Sequence, residues 1–531
     1  MNQPAAAQAL DPEATALPDP TLPDPPLPDP PLPDPAAPRP GVADAEALAR
    51  HEALVREDLA RLGLPARAWT EPRSFDGRPM PDVVVIGGGQ FGIGVAGALK
   101  LRGIANLLVL DRAPEGREGP WVTYARMPTL RSPKTLPGLS FGIPSLTFES
   151  WYRAAYGAGA WAVLYKVHND TWQDYILWVR RMLDLPVRNG TEVRGLVPHA
   201  DRVELVLADG THLAAKRVVV ATGRGGTGGW VPVPGVAGDL FPDLAAHTMD
   251  EIDFARLAGK RIAVIGVGAS AWDNAATAME AGATEVVMFA RRQAMPQLNK
   301  GRASTGIGYF EGWQSLPDAD RWRLGVYLDD MQSPPPHETV HRALARPGVS
   351  VHFSTRIRSV IRADGGVRSA VRADGGVRIE VENGPSGDYD FLILGTGFRV
   401  DLAHEPLFAA VHDRVALWQD RYTPPPELAR PHLGRFPYLG EAFELLPKAG
   451  EAGDLARIHV FNMASWLSAG TLAADVPTLE IGPDRVAAGV TARLFAEDFE
   501  PIFARLGAWE EEHELKGTAF YAPEHVNSTA R

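Results

Sequence analysis

Two short apolar runs, each broken by glycines and followed by a helical stretch and a second apolar run, stand out in the hydrophobic pattern of the chain. The first joins Val83 to Ile86 with Leu107 to Leu110 across GGGQFG and a small-residue stretch through Ala96 and Leu99. The second joins Arg261 to Ile265 with Val286 to Phe289 across GVGASA. Apolar runs this short, bounded by turn residues, fit strands buried on both faces, so each pattern predicts a strand-helix-strand unit. Two further apolar strands end in Thr-Gly: RVVVATGRG from Arg217 to Gly225, and DYDFLILGTGF from Asp388 to Phe398. Leu48, Val55, Leu59 and Leu62 fall at helical spacing and predict an amphipathic helix over Ala43 to Leu62, its face packed on the body. Other helices are expected over Trp172 to Leu183 and at Arg485.

Residues 17 to 35 break the pattern by repeating Leu-Pro-Asp-Pro, a composition that favours extended polyproline II and cannot form a core. It reads as a disordered tail. Ordering such a segment costs about 1–2 kcal/mol per residue, which its few apolar side chains cannot repay. Deleting residues 1 to 40 is therefore expected to leave bound-ligand content and activity unchanged; loss of either, or of half the activity, would mean that the repeat docks on the body. A second repeat, RADGGVR at Arg362 and again at Arg372, predicts a lengthened hairpin loop with no selected role, since long surface loops cost little.

Composition narrows the function. A chain of 531 residues exceeds what one core usually serves and predicts more than one domain. The formal charge of −12 argues against a general nucleic-acid surface, and no apolar run approaches a membrane span, so a small molecule is the expected partner. The N-terminus lacks an export signal, which makes the cytoplasm the expected location. With no cysteine, there is no thiolate metal site and no redox-active cysteine pair, and no metal is expected.

The glycine turns carry the chemistry. In the first, which also holds Gln90 and Phe91, Gly87 permits the tight turn, Gly89 lets the backbone approach a diphosphate, and Gly92 allows close packing of helix on strand. Asp111, followed by Arg112, ends the second strand, where a carboxylate can accept both hydroxyls of an adenosine ribose. In the second, Gly266 and Gly268 precede Ser270, and Ala271 takes the third glycine position. Its second strand ends in Ala290, Arg291 and Arg292 instead of an acid. A guanidinium binds a ribose 2′-phosphate bidentately where a carboxylate would repel it, so NADPH is favoured over NADH.

Fingerprint, ATG, second fingerprint and TGF, in that order, resemble the flavin-containing monooxygenase superfamily across roughly residues 81 to 485. The resemblance implies an α/β fold of two Rossmann-like dinucleotide-binding domains, the NADPH domain inserted into the FAD domain. On that pattern a tail (1–42) and an N-terminal helix and linker (43–80) precede an FAD-binding part (81–240), an NADPH-binding domain (241–384), and a second FAD-binding part with the C-terminal region (385–531). FAD is expected on Gly87, Gly89, Gly92 and Asp111, with Trp121 near the flavin, the Val193 backbone at the adenine, and Thr222 and Gly223 at the ATG crossing. NADPH is expected on Gly266, Gly268, Ser270 and Arg291, and Gly397 and Phe398 mark the second crossing.

Departures from the family pattern refine the expectation. The linker motif of Baeyer–Villiger enzymes has its nearest match at Phe241, Asp243, His247 and Glu251, where only Phe and His survive. That argues against Baeyer–Villiger chemistry and leaves His247 open between a linker hinge and a surface histidine. In YARMPTLRSPKTLPG, Arg131 stands where relatives carry an Asn beside the flavin, while Lys134 matches. Arg131 and Lys134 are the candidate flavin-side electrostatic groups. The segment from Phe461, with Asn462, Ser465 and Ser468, is either a flavin-facing wall or a packed loop. The expected activity is insertion of one atom of O2 into a small molecule through a C4a-hydroperoxyflavin, preferentially N-hydroxylation of an amine or amino acid. The alternatives are S-oxidation, Baeyer–Villiger oxidation, and an NADPH-dependent reductase or oxidase without oxygenation; disulfide reduction is excluded.

Overall fold

The computed structural model describes residues 41–363, 375–473, 475–509 and 513–522. The Pro-rich repeat lies outside the described residues, as does most of the loop holding the RADGGVR copies. The strands flanking that loop, Ile357–Ala363 and Gly376–Val381, pair antiparallel.

Two five-stranded sheets organise the molecule. In chain order their strands are β1 (Val83–Ile86), β2 (Leu107–Leu110), β3 (Val187–Arg188), β4 (Arg217–Val220), β5 (Ala245–His247), β6 (Arg261–Ile265), β7 (Glu285–Phe289), β8 (Val349–His352), β9 (Phe391–Leu394) and β10 (Ile458–Val460). The first sheet runs β10-β4-β1-β2-β3 and the second β5-β9-β6-β7-β8. Every neighbouring pair is parallel. All five strands of the second sheet thus fall, in sequence, between β4 and β10 of the first. All-parallel sheets need cover on both faces, and the wholly buried VVVI of β1 and FLIL of β9 are the β-rich, unalternating runs that such strands require.

Five helices matter for the site: α1 (Gln90–Leu101), α2 (Asn169–Met182), α3 (Ala269–Glu280), α4 (His337–Leu344) and α5 (Ile481–Glu497). Helix α1 follows β1 and packs against α5 through glycines: a methyl at Gly94 would lie 2.9 Å from Pro483 Cγ. The expected N-terminal helix spans Ala45–Arg61 and buries Val55 and Leu59. Leu62 is 59% exposed, because it caps the helix just before the chain turns at Gly63 (φ +65°).

In each sheet the strand order reverses beside the strand that feeds a glycine turn. β1 lies between β2 and β4, and β6 lies between β7 and β9. A crevice opens at the carboxyl ends of the strands at such a switch point. The two connections between the sheets run side by side: Val231 N donates to Gly397 O (3.0 Å), Asp401 N to Thr227 O (2.8 Å), and Thr227 Oγ1 to Arg399 O (2.9 Å).

Candidate functional site

The first crevice is closed by contacts that admit no side chain. Gly87 has φ +108°, and a methyl there would lie 2.4 Å from Ala221 O at the end of β4; one on Gly92 would lie 1.7 Å from Gly87 O. Helix α1 starts from Gly89 with no side-chain cap, so its first-turn N–H groups face the crevice as donors for an anion. The Gly119 backbone covers the turn, 3.5 Å from where a Gly89 methyl would sit, and brings the buried Trp121 with it. Asp111 accepts from Gly88 N (2.6 Å) and Ala113 N (2.7 Å), one bond per oxygen, so each oxygen keeps capacity for a hydroxyl donor.

Other residues expected here take defined places. Gln90 Oε1 accepts from Trp172 Nε1 (3.1 Å), and Phe91 meets Phe461 edge-on at 5.6 Å. Thr191 N donates to Asp111 O (2.8 Å), which lays the chain entering Val193 along the end of β2. Thr222 Oγ1 accepts from Asn462 Nδ2 (3.1 Å), and Gly223 sits at φ +67°. Arg112 is exposed; with Arg224 it opposes the upward push that burial gives the Tyr124 phenol.

Glu118 is a residue that pattern reading misses. It is 2% exposed and held by Arg180 Nη1 (2.9 Å) and Asn189 Nδ2 (2.6 Å), and a methyl on Gly88 would lie 3.4 Å from its Cγ. Its Oε2 has no hydrogen-bond partner among the described residues. A lone acid in a loop gives no periodic signal; only the convergence of Arg180 and Asn189 on it marks it out.

The second crevice repeats the first. Gly266 has φ +118°, and a methyl there would lie 2.2 Å from Gly395 O; a methyl on Gly395 would lie 2.5 Å from Ala271 Cβ. Helix α3 starts from Gly268 without a side-chain cap, a methyl on Gly268 would meet nothing within 4 Å, and Ser270 is exposed on the first turn. Arg291 and Arg292 follow β7, both exposed, and neither side chain has an ion-pair or hydrogen-bond partner among the described residues. Gly397 has φ +78° and Phe398 packs edge-on to His247 at 5.5 Å.

His247 is not a surface residue. It is 0% exposed at the end of β5, stacked on Trp230 at 5.7 Å, and burial pushes its pKa down to about 4, so it is neutral at pH 7. Phe241 stacks on the same Trp230 (5.6 Å), while Glu251 pairs with Arg117 at 3.1 Å. Arg131 and Lys134 both have partners: Arg131 Nη2 donates to Asp273 Oδ2 on α3, and Lys134 Nζ donates to Trp161 O (2.7 Å) while lying over that ring. The segment from Phe461 forms short helical turns over Met463–Ser465, Trp466–Ala469 and Gly470–Ala473, held by hydrogen bonds. Ser468 Oγ accepts from Trp418 Nε1 (3.0 Å) and Leu439 N (3.1 Å), Leu467 O accepts from Trp313 Nε1 (3.1 Å), and Asn462 ties the loop to the ATG crossing. Among the described residues no helix is long and apolar enough to cross a membrane, and no cluster of three metal-ligating side chains occurs.

Comparison with known proteins places this architecture. The family model described as pyridine nucleotide-disulphide oxidoreductase matches residues 84–304. The FAD-dependent urate hydroxylase of Xanthomonas campestris pv. campestris is 38% identical over 457 residues, covering 85% of this chain and 94% of that protein. Among solved structures, the reduced ornithine hydroxylase of Pseudomonas aeruginosa aligns with a TM-score of 0.59 at 17% identity, over 78% of this chain and 100% of the other. L-lysine 6-monooxygenase from Pseudomonas syringae gives a TM-score of 0.59 at 18% identity, over 78% and 99%. The chain belongs to the family of that urate hydroxylase and is an oxidoreductase of the hydroxylase type, and it shares its fold with the ornithine and lysine monooxygenases. Its relative of 38% identity is a urate hydroxylase. Disulfide chemistry, part of the matched model's description, has no thiol to act through in a chain without cysteine.

Proposed function

We propose that this protein is an FAD- and NADPH-dependent hydroxylase whose substrate is urate or a closely related oxopurine. The observation that carries the cofactor reading is the duplicated cradle: two parallel sheets, each with a glycine turn at its switch point where a single methyl group would collide with backbone. A dinucleotide's diphosphate fits against the uncapped starts of α1 and α3. FAD would rest on Gly87, Gly89 and Gly92 with its ribose on Asp111. NADPH would rest on Gly266, Gly268 and Ser270 with its 2′-phosphate on Arg291. When bound, the flavin would supply the redox and oxygen-activating chemistry; the protein's part is to bind, orient and keep water out.

The substrate reading rests on the relative of 38% identity. The N-hydroxylation expected from the sequence finds support only in structures of 15–18% identity, a likeness that speaks for the fold. The test is NADPH oxidation by the flavin-loaded protein with urate, other oxopurines, ornithine and lysine, under isotopically labelled O2. Urate is expected to accelerate NADPH oxidation and to yield a product carrying one labelled oxygen. Acceleration by an amine alone, with a hydroxylamine product, would restore N-hydroxylation. NADPH oxidation indifferent to every substrate would favour a plain oxidase.

A further inference from the structure

Arg131 reaches out of the first nucleotide unit and Asp273 meets it from the second, 142 residues later in the chain. Arg131 stands on a braced loop: Leu130 N donates to Val167 O (2.8 Å), Asn169 N to Pro128 O (3.2 Å), and Asn169 Nδ2 to Met127 O (2.5 Å). Asp273 is equally fixed. It lies in the second turn of α3, the helix whose start faces the second crevice, and only 4% of its side chain is exposed. Oδ1 accepts from Thr339 Oγ1 (2.9 Å) on α4, with Arg342 Nη1 at 3.8 Å, while Oδ2 takes the Arg131 guanidinium at 2.5 Å.

The same seam carries two further links between α4 and the first unit: Arg342 Nη2 donates to Arg126 O (3.2 Å), and Glu338 pairs with Lys166. Of the three, only the Arg131 link ends on the helix that opens onto the second crevice. A carboxylate this buried is costly unless paired, so the native partnership favours one arrangement of the two units over neighbouring ones. Hydride transfer between two bound dinucleotides is sensitive to such placement, because about 1 Å of misplacement can cost on the order of a hundredfold in rate.

We infer that the Arg131–Asp273 ion pair is a positioning clasp that holds α3, and the coenzyme on it, in register with the first crevice for hydride transfer. The inference rests on the reading of the two crevices as FAD and NADPH sites. Its test compares the flavin-loaded wild type with R131A, R131K and D273N, measuring FAD content, melting temperature, NADP+ dissociation constant and the anaerobic rate of flavin reduction at saturating NADPH. Arg131 is partly exposed and Arg342 stays beside Asp273, so all three variants are expected to fold and hold FAD. Reduction in R131A and D273N should slow by about 10–100-fold with little change in NADP+ affinity, and R131K should recover part of the loss. Unchanged reduction in both variants overturns the clasp. So does a weaker NADP+ complex with an unchanged saturated rate, which would make Arg131 a coenzyme ligand. A wild type that binds flavin but is not reduced by NADPH, or that binds no flavin, overturns the functional reading itself.

Discussion

Gly92→Ala should yield a protein without flavin. The added methyl would lie 1.7 Å from Gly87 O and 2.9 Å from Gly87 C, and both are backbone atoms that no rotamer change can move aside. Either α1 lifts off β1 or the GGGQFG turn deforms, and each alternative destroys the close approach on which diphosphate binding depends. Overpacking of this kind also costs about 1–3 kcal/mol of stability. The outcome is not what the fingerprint rule alone suggests, since that rule allows alanine at the third position and the second unit does carry Ala271 there. The matched control is Gly268→Ala, whose methyl meets nothing within 4 Å and which should leave folding and FAD content intact. The measurements are cofactor release on denaturation, quantified by chromatography, and melting temperature. A yellow, normally loaded G92A protein would show that the first crevice is not the FAD site or that α1 is far softer than its packing against Pro483 implies.

The contrast between Gly92 and Ala271 also marks where sequence reading stops. The strands were legible because long-range burial leaves a local trace: VVVI and LLVL are apolar without alternation, glycines end them, and their bounds fall where the pattern placed them. The helix over Asn169–Met182 was legible for the same reason, with its start three residues earlier than expected. Features made by convergence left no such trace. His247 could not be told from a surface histidine because its neighbours, Trp230 and Phe398, come from two connections 168 residues apart in the chain, brought together only when the sheets form. The acid Glu118 is held by Arg180 and Asn189, neither of them predictable from the loop that carries it. Arg131 was read from its place in a motif, which gives no sign that its guanidinium also meets Asp273, a residue on a helix read only as part of the second fingerprint.

Replacing Arg291 with alanine should weaken NADPH far more than NADH. Arg291 lies just past Phe289 at the end of β7, the position from which a fingerprint's second strand addresses the ribose 2′ substituent. Its side chain is exposed and has no partner among the described residues, so no competing ion pair has to break before it meets a phosphate. A charge-assisted hydrogen bond is worth roughly 1.5–3 kcal/mol, which converts to about one to two decades in the NADPH constant. NADH lacks the 2′-phosphate and should lose little. Arg292, its exposed neighbour, supplies the internal comparison: an R292A protein should lose less than R291A if the first arginine makes the bidentate contact, and the double variant should approach equal use of the two coenzymes. Because the site is open to solvent, raising the ionic strength should shrink the NADPH advantage of the wild type while leaving the NADH constant nearly flat. Steady-state constants for both coenzymes at two salt concentrations decide the matter. Equal losses with NADPH and NADH in R291A would mean that the guanidinium shapes the crevice without reading the phosphate.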